Sequence, residues 1–272
     1  MTTQKIILIT GSSRGIGEHV AKHLAAQGHI VYGSSRIIPP DAPKNHISLD
    51  VTDSHSCQRA IERILAERGK LDVLINNAGF HLTGAAQETS MEELYAQMEL
   101  NFFGAVHMIK AVLPLFLEQK SGNIINMSSI GGLLSLPFTS AYNASKFALE
   151  GYTEALRLEL LPFGIFVSNL EPGYVNSGTI DQSIGRPKMP LPPFAKYREQ
   201  MHRKMEQDSL KGTSKQEIAE IIEKIIDSKK PKFRYKMGGM AYSLPLMKAI
   251  MPQGFFEKTV LNSFQLPTKI NF

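Results

Sequence analysis

The chain has 272 residues, with 30 Lys plus Arg against 25 Asp plus Glu, a formal charge of +5, 43% apolar and 20% charged residues. That balance supports a sizeable core and excludes a disordered polyelectrolyte, and the length suits one large α/β domain as readily as two small ones. A small positive surplus suits an anionic ligand, but no basic run reaches five residues, so nucleic acid is not an expected partner.

From the N-terminus, Lys5–Thr10 is a short apolar run suited to a buried strand, and Gly11–Gly17 is a glycine-rich turn. Ile16, Val20 and Leu24 are helically spaced and predict a helix from Ile16 to Gln27, ended by Gly28. His29–Ser34 and Asn45–Leu49 read as the next strands, Ser54–Arg68 as a helix preceded by Asp53, and Leu71–Asn76 as a strand. Two long helical stretches, Met91–Leu117 and Ala141–Leu161, enclose the strand Asn123–Met127, with Pro114 expected to bend or stop the first. Gly164–Leu170 is a further strand, closed by Pro172-Gly173. Strands alternating with helices of this length predict an α/β fold, a single doubly wound domain over 1–272 whose parallel central sheet has helices on both faces.

Beyond Ser177 the texture changes. Residues 178–212 are rich in Pro and Met and read as a long excursion with a short helix around Phe194–Gln207, of the kind that covers a site. Ser214–Ser228 is strongly amphipathic through Ile218, Ile221, Ile222 and Ile225, and Phe233–Lys236 suits a last strand. Residues 237–272 form an apolar, broken tail. No stretch of 18 apolar residues occurs, Met237–Phe256 comes nearest, and the N-terminal run is too short for a secretory signal, so a cytoplasmic location is expected.

Cys57 is the single cysteine, which excludes an internal disulfide; it reads as a small buried thiol. His19 and His23 are helix-spaced but lack a third ligand, and no metal site is expected.

Three groups of residues carry chemistry. In Thr10-Gly11-Ser12-Ser13-Arg14-Gly15-Ile16-Gly17, glycines allow a sharp strand-to-helix turn and let a phosphate approach the amides at a helix N-terminus; the plain alternative is a tight turn without a ligand. The second strand ends in Gly33-Ser34-Ser35-Arg36, without the carboxylate that would bind a ribose hydroxyl pair. Arg36 and Arg14 together suit a 2′-phosphate, with Ser35 expected beside them at the cofactor, so NADP(H) is expected over NAD(H); the alternative is two solvated arginines. In Tyr142-Asn143-Ala144-Ser145-Lys146, positions i and i+4 place phenol and amine on one helix face, where the ammonium favours phenolate and fits Tyr142 to pass a proton to a carbonyl oxygen. Ser129, thirteen residues earlier, is placed to hydrogen-bond the same oxygen.

Together with Asp50-Val51, Asn76-Asn77-Ala78-Gly79, Asn101 and Pro172-Gly173, these residues resemble the short-chain dehydrogenase/reductase family over residues 5 to about 177. The resemblance implies a Rossmann-type domain and hydride transfer to or from a nicotinamide. It makes Tyr142 the general acid/base, Lys146 the group that lowers its pKa and bonds the nicotinamide ribose, Ser129 the substrate-polarising serine, and Asn101 the holder of a relay water. It assigns Asp50 and Val51 to the adenine edge, Asn77, Ala78 and Gly79 to the adenosine ribose, and Pro172, Gly173, Val175 and Ser177 to the nicotinamide. The stretches Tyr142–Gly151 and Leu156–Leu160 are similar to the hydroxysteroid and retinol dehydrogenase branch, which implies a lipophilic alcohol or carbonyl substrate of steroid, retinoid or acyl type.

Leu133, Leu134, Leu136, Pro137 and Phe138 lie between Ser129 and Tyr142, so some should wall the site, with Tyr174, Met189, Phe194 and the tail as cover; core or interface packing is the alternative. The tail also suits weak contact with a membrane surface, while the family resemblance implies a homodimer or homotetramer. A rival reading is a nucleotide-sensing regulator that has lost the chemistry, against which the intact Ser129–Tyr142–Lys146 set argues.

Overall fold

The computed structural model describes residues 3–176 and 184–267. Its first strand, β1 (Ile6–Ile9), is a run of aliphatic residues buried on both faces, which is what the centre of a parallel sheet requires. Around it lie β2 (Ile30–Ser35), β3 (Ile47–Ser48), β4 (Val73–Asn76), β6 (Gly122–Met127), β7 (Ile165–Pro172) and β11 (Arg234–Met237). The seven strands run parallel in the order β11-β7-β6-β4-β1-β2-β3. The chain reverses its winding between β1 and β4, and a doubly wound sheet opens a crevice at that point.

Helices cover both faces, as expected. On one side α1 (Gly15–Ala26) and α7 (Lys215–Asp227) bury Val20, Leu24, Ile218 and Ile222 against β1 and β4. On the other, α2 (Ser54–Arg68), α4 (Gly104–Gln119) and α5 (Ser140–Leu160) supply Ile61, Ile64, Met108, Val112, Leu156 and Leu160. The helix-spaced His19 and His23 hold α7 to α1: His23 Nε2 lies 2.7 Å from Glu223 and His19 Nε2 3.0 Å from Gln216. Cys57 is fully buried, and burial pushes its thiol up to about 12.

The first long helical stretch differs from expectation. It runs as α3 (Met91–Met98), a π-helical turn at Glu99–Phe103, then α4. Pro114 does not stop it, because Pro114 and Lys110 lie on the solvent side, where the carbonyl that loses its partner is open to water. Taken as one rod, Met91–Gln119 is the described segment long and apolar enough to cross a bilayer, rather than Met237–Phe256, but half of it is buried inside the fold.

The C-terminal third builds a cover. Short strands β5 (His81–Leu82) and β9 (Ile184–Gly185) pair, as do β8 (Val175–Asn176) and β10 (Thr213–Ser214). The excursion helix α6 (Pro192–Leu210) is longer than the sequence suggested, because Pro192 and Pro193 occupy its first turn, where a missing N–H has no consequence. The tail is two helices, α8 (Gly239–Ile250) and α9 (Gln253–Ser263), and its end packs Phe264 and Leu266 onto Met201 and Met205 of α6.

Candidate active site

The glycine turn is cut to shape by its neighbours. Gly11 has φ +65°, and a Cβ there would come 2.8 Å from the Cα of Ala78; one at Gly17 would run into the Asn77 amide. Asn77 and Ala78 donate their backbone N–H groups to Thr10 Oγ1 at 3.0 Å, and the Asn77 side-chain amide donates to the carbonyls of Thr10 and Gly11. Ser12 stitches the turn to β2, its N–H donating to Ser34 and its Oγ accepting from the Ser34 N–H. Arg14 is the N-cap of α1 and its side chain makes no capping hydrogen bond, which leaves the first amides of the helix uncapped by it beside Gly15, a glycine with open space at its Cβ position. A phosphate fits such a cradle. Ser13, Arg14 and Arg36 are exposed around it, whereas Ile16 lines the cavity described below.

Ser35 is placed differently from expectation. Its hydroxyl donates to the Ile37 carbonyl at 2.7 Å and lies 2.7 Å from His46 Nε2, so its one hydrogen is committed inside the protein. Ser35 therefore shapes the turn that presents Arg36. Asp50 accepts from the N–H and hydroxyl of Thr52, and Val51 is buried against Gly104 with its carbonyl 3.0 Å from His107 Nδ1. Neither is among the residues that line the cavity described next.

That cavity, about 380 Å³, lies outside the carboxyl ends of β4, β6 and β7. Ser129, Tyr142 and Lys146 all reach it, as do Asn77, Gly79, Pro172, Gly173 and Val175, while Ser177 lies outside the described residues. Ser129 accepts a hydrogen bond from the Gly131 N–H at 3.0 Å, which leaves its own proton to give to a substrate oxygen. Lys146 is buried and donates to the Met127 carbonyl at 2.6 Å. Burial pushes its ammonium down to about 8, although Glu150 one turn further on pulls it upward. Its Nζ lies 5.8 Å from the centre of the Tyr142 ring.

Asn101 sits in the π-helical turn, buried, with its amide bonded to both backbone groups of Phe80 and to Ser145 Oγ. Ser145 in turn donates to the Tyr142 carbonyl at 2.7 Å. The side chain thus ties the β4–β5 connection to α5, and its three bonds go to protein groups.

Of the segment between Ser129 and Tyr142, Leu136 walls the cavity; Leu134 is fully buried in the core, and Phe138 packs edge-on to Phe194 with centroids 6.3 Å apart. Tyr174 lines the cavity, whereas Met189 is 71% exposed and Phe194 is not among the lining residues. Sequence reasoning passed over His81, stacked on Tyr142, and Met240, which reaches in from α8. It also missed a buried charge cluster behind Lys146: Arg234 Nε donates to Glu150 at 3.3 Å and lies 3.0 Å from Glu171. Burial first, and the charge of Glu150 second, push the Glu171 carboxyl up to about 7 against the pull of Arg234. No motif marks these residues, since the fold joins them from distant segments. Among the described residues no group of three His, Cys, Asp or Glu is placed to hold a metal.

A family model described as short chain dehydrogenase matches residues 5–186. A 3-ketodihydrosphingosine reductase of Bacteroides thetaiotaomicron is 43% identical over 242 residues, covering 88% of this chain and 90% of its own. Human 17-beta-hydroxysteroid dehydrogenase type 1 is 32% identical over 252 residues, covering 85% of this chain and 76% of its own. A solved short-chain dehydrogenase from Streptomyces avermitilis matches with a TM-score of 0.82 at 33% identity, over 97% of this chain and 96% of its own.

Proposed function

Since the chain belongs to the short chain dehydrogenase family and is an oxidoreductase of the NAD(P)-using kind, we propose that it reduces a ketone on a long lipophilic chain to the secondary alcohol with NADPH. The observation that carries the reading is the cavity, where Tyr142, Ser129 and Lys146 share a wall with Leu136, Met127, Met201, Met205 and Met240. Unbranched methionines adapt to a flexible chain better than a rigid pocket does. The relative at 43% identity is named for a keto lipid, which favours the acyl-like member of the expected substrates over the steroid and retinoid ones.

The residues present fit a nicotinamide dinucleotide, on the strength of the side-chain-uncapped N-terminus of α1 and the open space at the Cβ position of Gly15. When bound, the cofactor supplies the hydride. The protein's own part is the proton and the electrostatics. Ser129 donates to the carbonyl oxygen, Tyr142 gives the proton that turns it into a hydroxyl, and the Lys146 charge eases that loss. Apolar walls keep water from the reacting carbon. Preference for NADPH rests on Arg14 and Arg36, two exposed guanidinium groups beside a strand end without a carboxylate.

The test is NADPH and NADH oxidation against long-chain keto lipids, steroid and retinoid carbonyls and small polar ketones. Turnover of the long-chain ketones with NADPH supports the reading. Turnover of small polar ketones alone removes the lipophilic substrate, and equal use of both cofactors removes the arginine argument.

A further inference from the structure

Helix α6 presents two stripes to the same cavity. Met201 and Met205 form one, at i and i+4; His202, Glu206 and Ser209 form the other, at i, i+4 and i+7. The methionines are buried beneath Phe264 and Leu266, so the apolar stripe is fixed in place. The polar stripe spans about 10 Å at 1.5 Å per residue, the length of a small head group and far less than a lipid chain.

Two polar atoms on this side of the cavity are buried without a hydrogen-bond partner among the described residues, His202 Nε2 and the Tyr174 hydroxyl. A buried donor or acceptor left unpaired is destabilising unless a ligand satisfies it. Burial and the Arg186 charge hold His202 below the ordinary histidine range, which leaves a neutral ring, and burial keeps the Tyr174 phenol protonated. Glu206, exposed to solvent, is the one carboxylate among the described residues lining the cavity, and it makes no ion pair with them. Of the cations on the same lining, Lys146 is bonded to the Met127 carbonyl and Arg186 is paired with Glu199 at 2.7 Å.

We propose that this polar stripe, with Glu206 as its charged member, selects ketones that carry a protonated amine near the carbonyl, which makes the substrate class a long-chain amino ketone. The proposal rests on the long-chain reading above. The ammonium pairs with Glu206, a neutral His202 ring accepts from an amine or hydroxyl without repelling it, and the Tyr174 hydroxyl donates to an alcohol oxygen. The alkyl chain lies on Met201 and Met205. A carboxylate-headed ketone meets Glu206 as a like charge and is rejected.

The experiment compares kcat/KM with NADPH for 3-ketodihydrosphingosine, its N-acetyl derivative and a plain long-chain 3-ketone, in the wild type, Glu206→Gln and Glu206→Lys. Calorimetric titration of dihydrosphingosine into each protein gives a reading independent of turnover. The expected result is a preference of the wild type for the free amine of about two- to fivefold, the increment of one solvent-exposed ion pair. Glu206→Gln lowers that ratio by about the same factor, Glu206→Lys lowers it further, and both weaken dihydrosphingosine binding. A ratio that stays the same across the three proteins overturns the proposal while leaving the long-chain reading intact. Inertness of all three compounds beside turnover of steroid or retinoid carbonyls overturns the long-chain reading and the proposal together.

Discussion

His81 and Tyr142 lie face to face, with ring centroids 3.9 Å apart and planes inclined by 16°. His81 belongs to β5, which pairs with β9 from the cover, whereas Tyr142 is in the first turn of α5. The imidazole therefore ties the orientation of the phenol to the position of the cover. Aromatic stacks of this kind contribute about 0.5–1.5 kcal/mol, so His81→Ala is expected to lower kcat by up to roughly tenfold. Steady-state kinetics at saturating NADPH checks this; an unchanged kcat removes the orienting role.

Tyr142→Phe keeps the ring and removes the proton. Turnover is expected to fall by about 10²–10⁴-fold, the usual share of a positioned acid, while NADPH binding followed by nucleotide fluorescence persists. A protein acting only as a nucleotide sensor would keep its partner function in this variant. In the reductive direction kcat/KM needs a protonated Tyr142 and a cationic Lys146. It is expected to fall as pH rises through about 8, where Lys146 loses its charge.

Arg14 and Arg36 are expected to grip the 2′-phosphate jointly. Each hydrogen bond to a charged group contributes about 1.5–3 kcal/mol, so Arg36→Ala should weaken NADPH by about ten- to a hundredfold and leave NADH little changed. Equilibrium titration of the variant with both nucleotides decides it. A parallel loss for both would place Arg36 in the shape of the loop.

Glu171 gives stability a pH dependence. Its folded pKa of about 7 lies above the ordinary 4.5, so its contribution is complete below about 4.5 and is lost as pH rises through about 7. Glu171→Gln cannot ionise and escapes that loss. Between about pH 5 and pH 8 the stability of the variant relative to the wild type should shift in its favour by about 1–3 kcal/mol, read as Tm at each pH.

Much of this architecture can be read from the chain before it is folded. The strand runs around Ile6–Ile9 and Val73–Asn76 are short and continuously apolar, which only a doubly covered parallel sheet accommodates, and the Tyr142–Lys146 spacing has its meaning wherever a helix forms. Ser35 reads as a cofactor contact from its place beside a phosphate-binding turn, whereas the bond of its hydroxyl to Ile37 is not legible in the sequence. The π-helical turn at Glu99–Phe103 carries no local signal, since it follows from the fit of Asn101 to Phe80 and Ser145. His81, Glu171 and Arg234 were silent for the same reason: each acquires its role from a neighbour far away in sequence, as Arg234 does from Glu150.

The attachment of α6 has its own consequence. Glu88, buried in the connection after β5, accepts from Ala85 N–H and Leu191 N–H and pairs with Arg198; Glu93 accepts from Lys188 N–H. Desolvation would raise the Glu88 carboxyl, but these donors outweigh it and hold it below the ordinary range. The helix that lines the cavity with Met201, His202, Met205 and Glu206 is thus anchored by two carboxylates that lie outside the Ser129–Tyr142–Lys146 set. Substitutions along α6 can therefore redraw what the enzyme accepts without disturbing how it reacts. A lineage of such proteins can diversify its diet of molecules while inheriting one unaltered chemical engine.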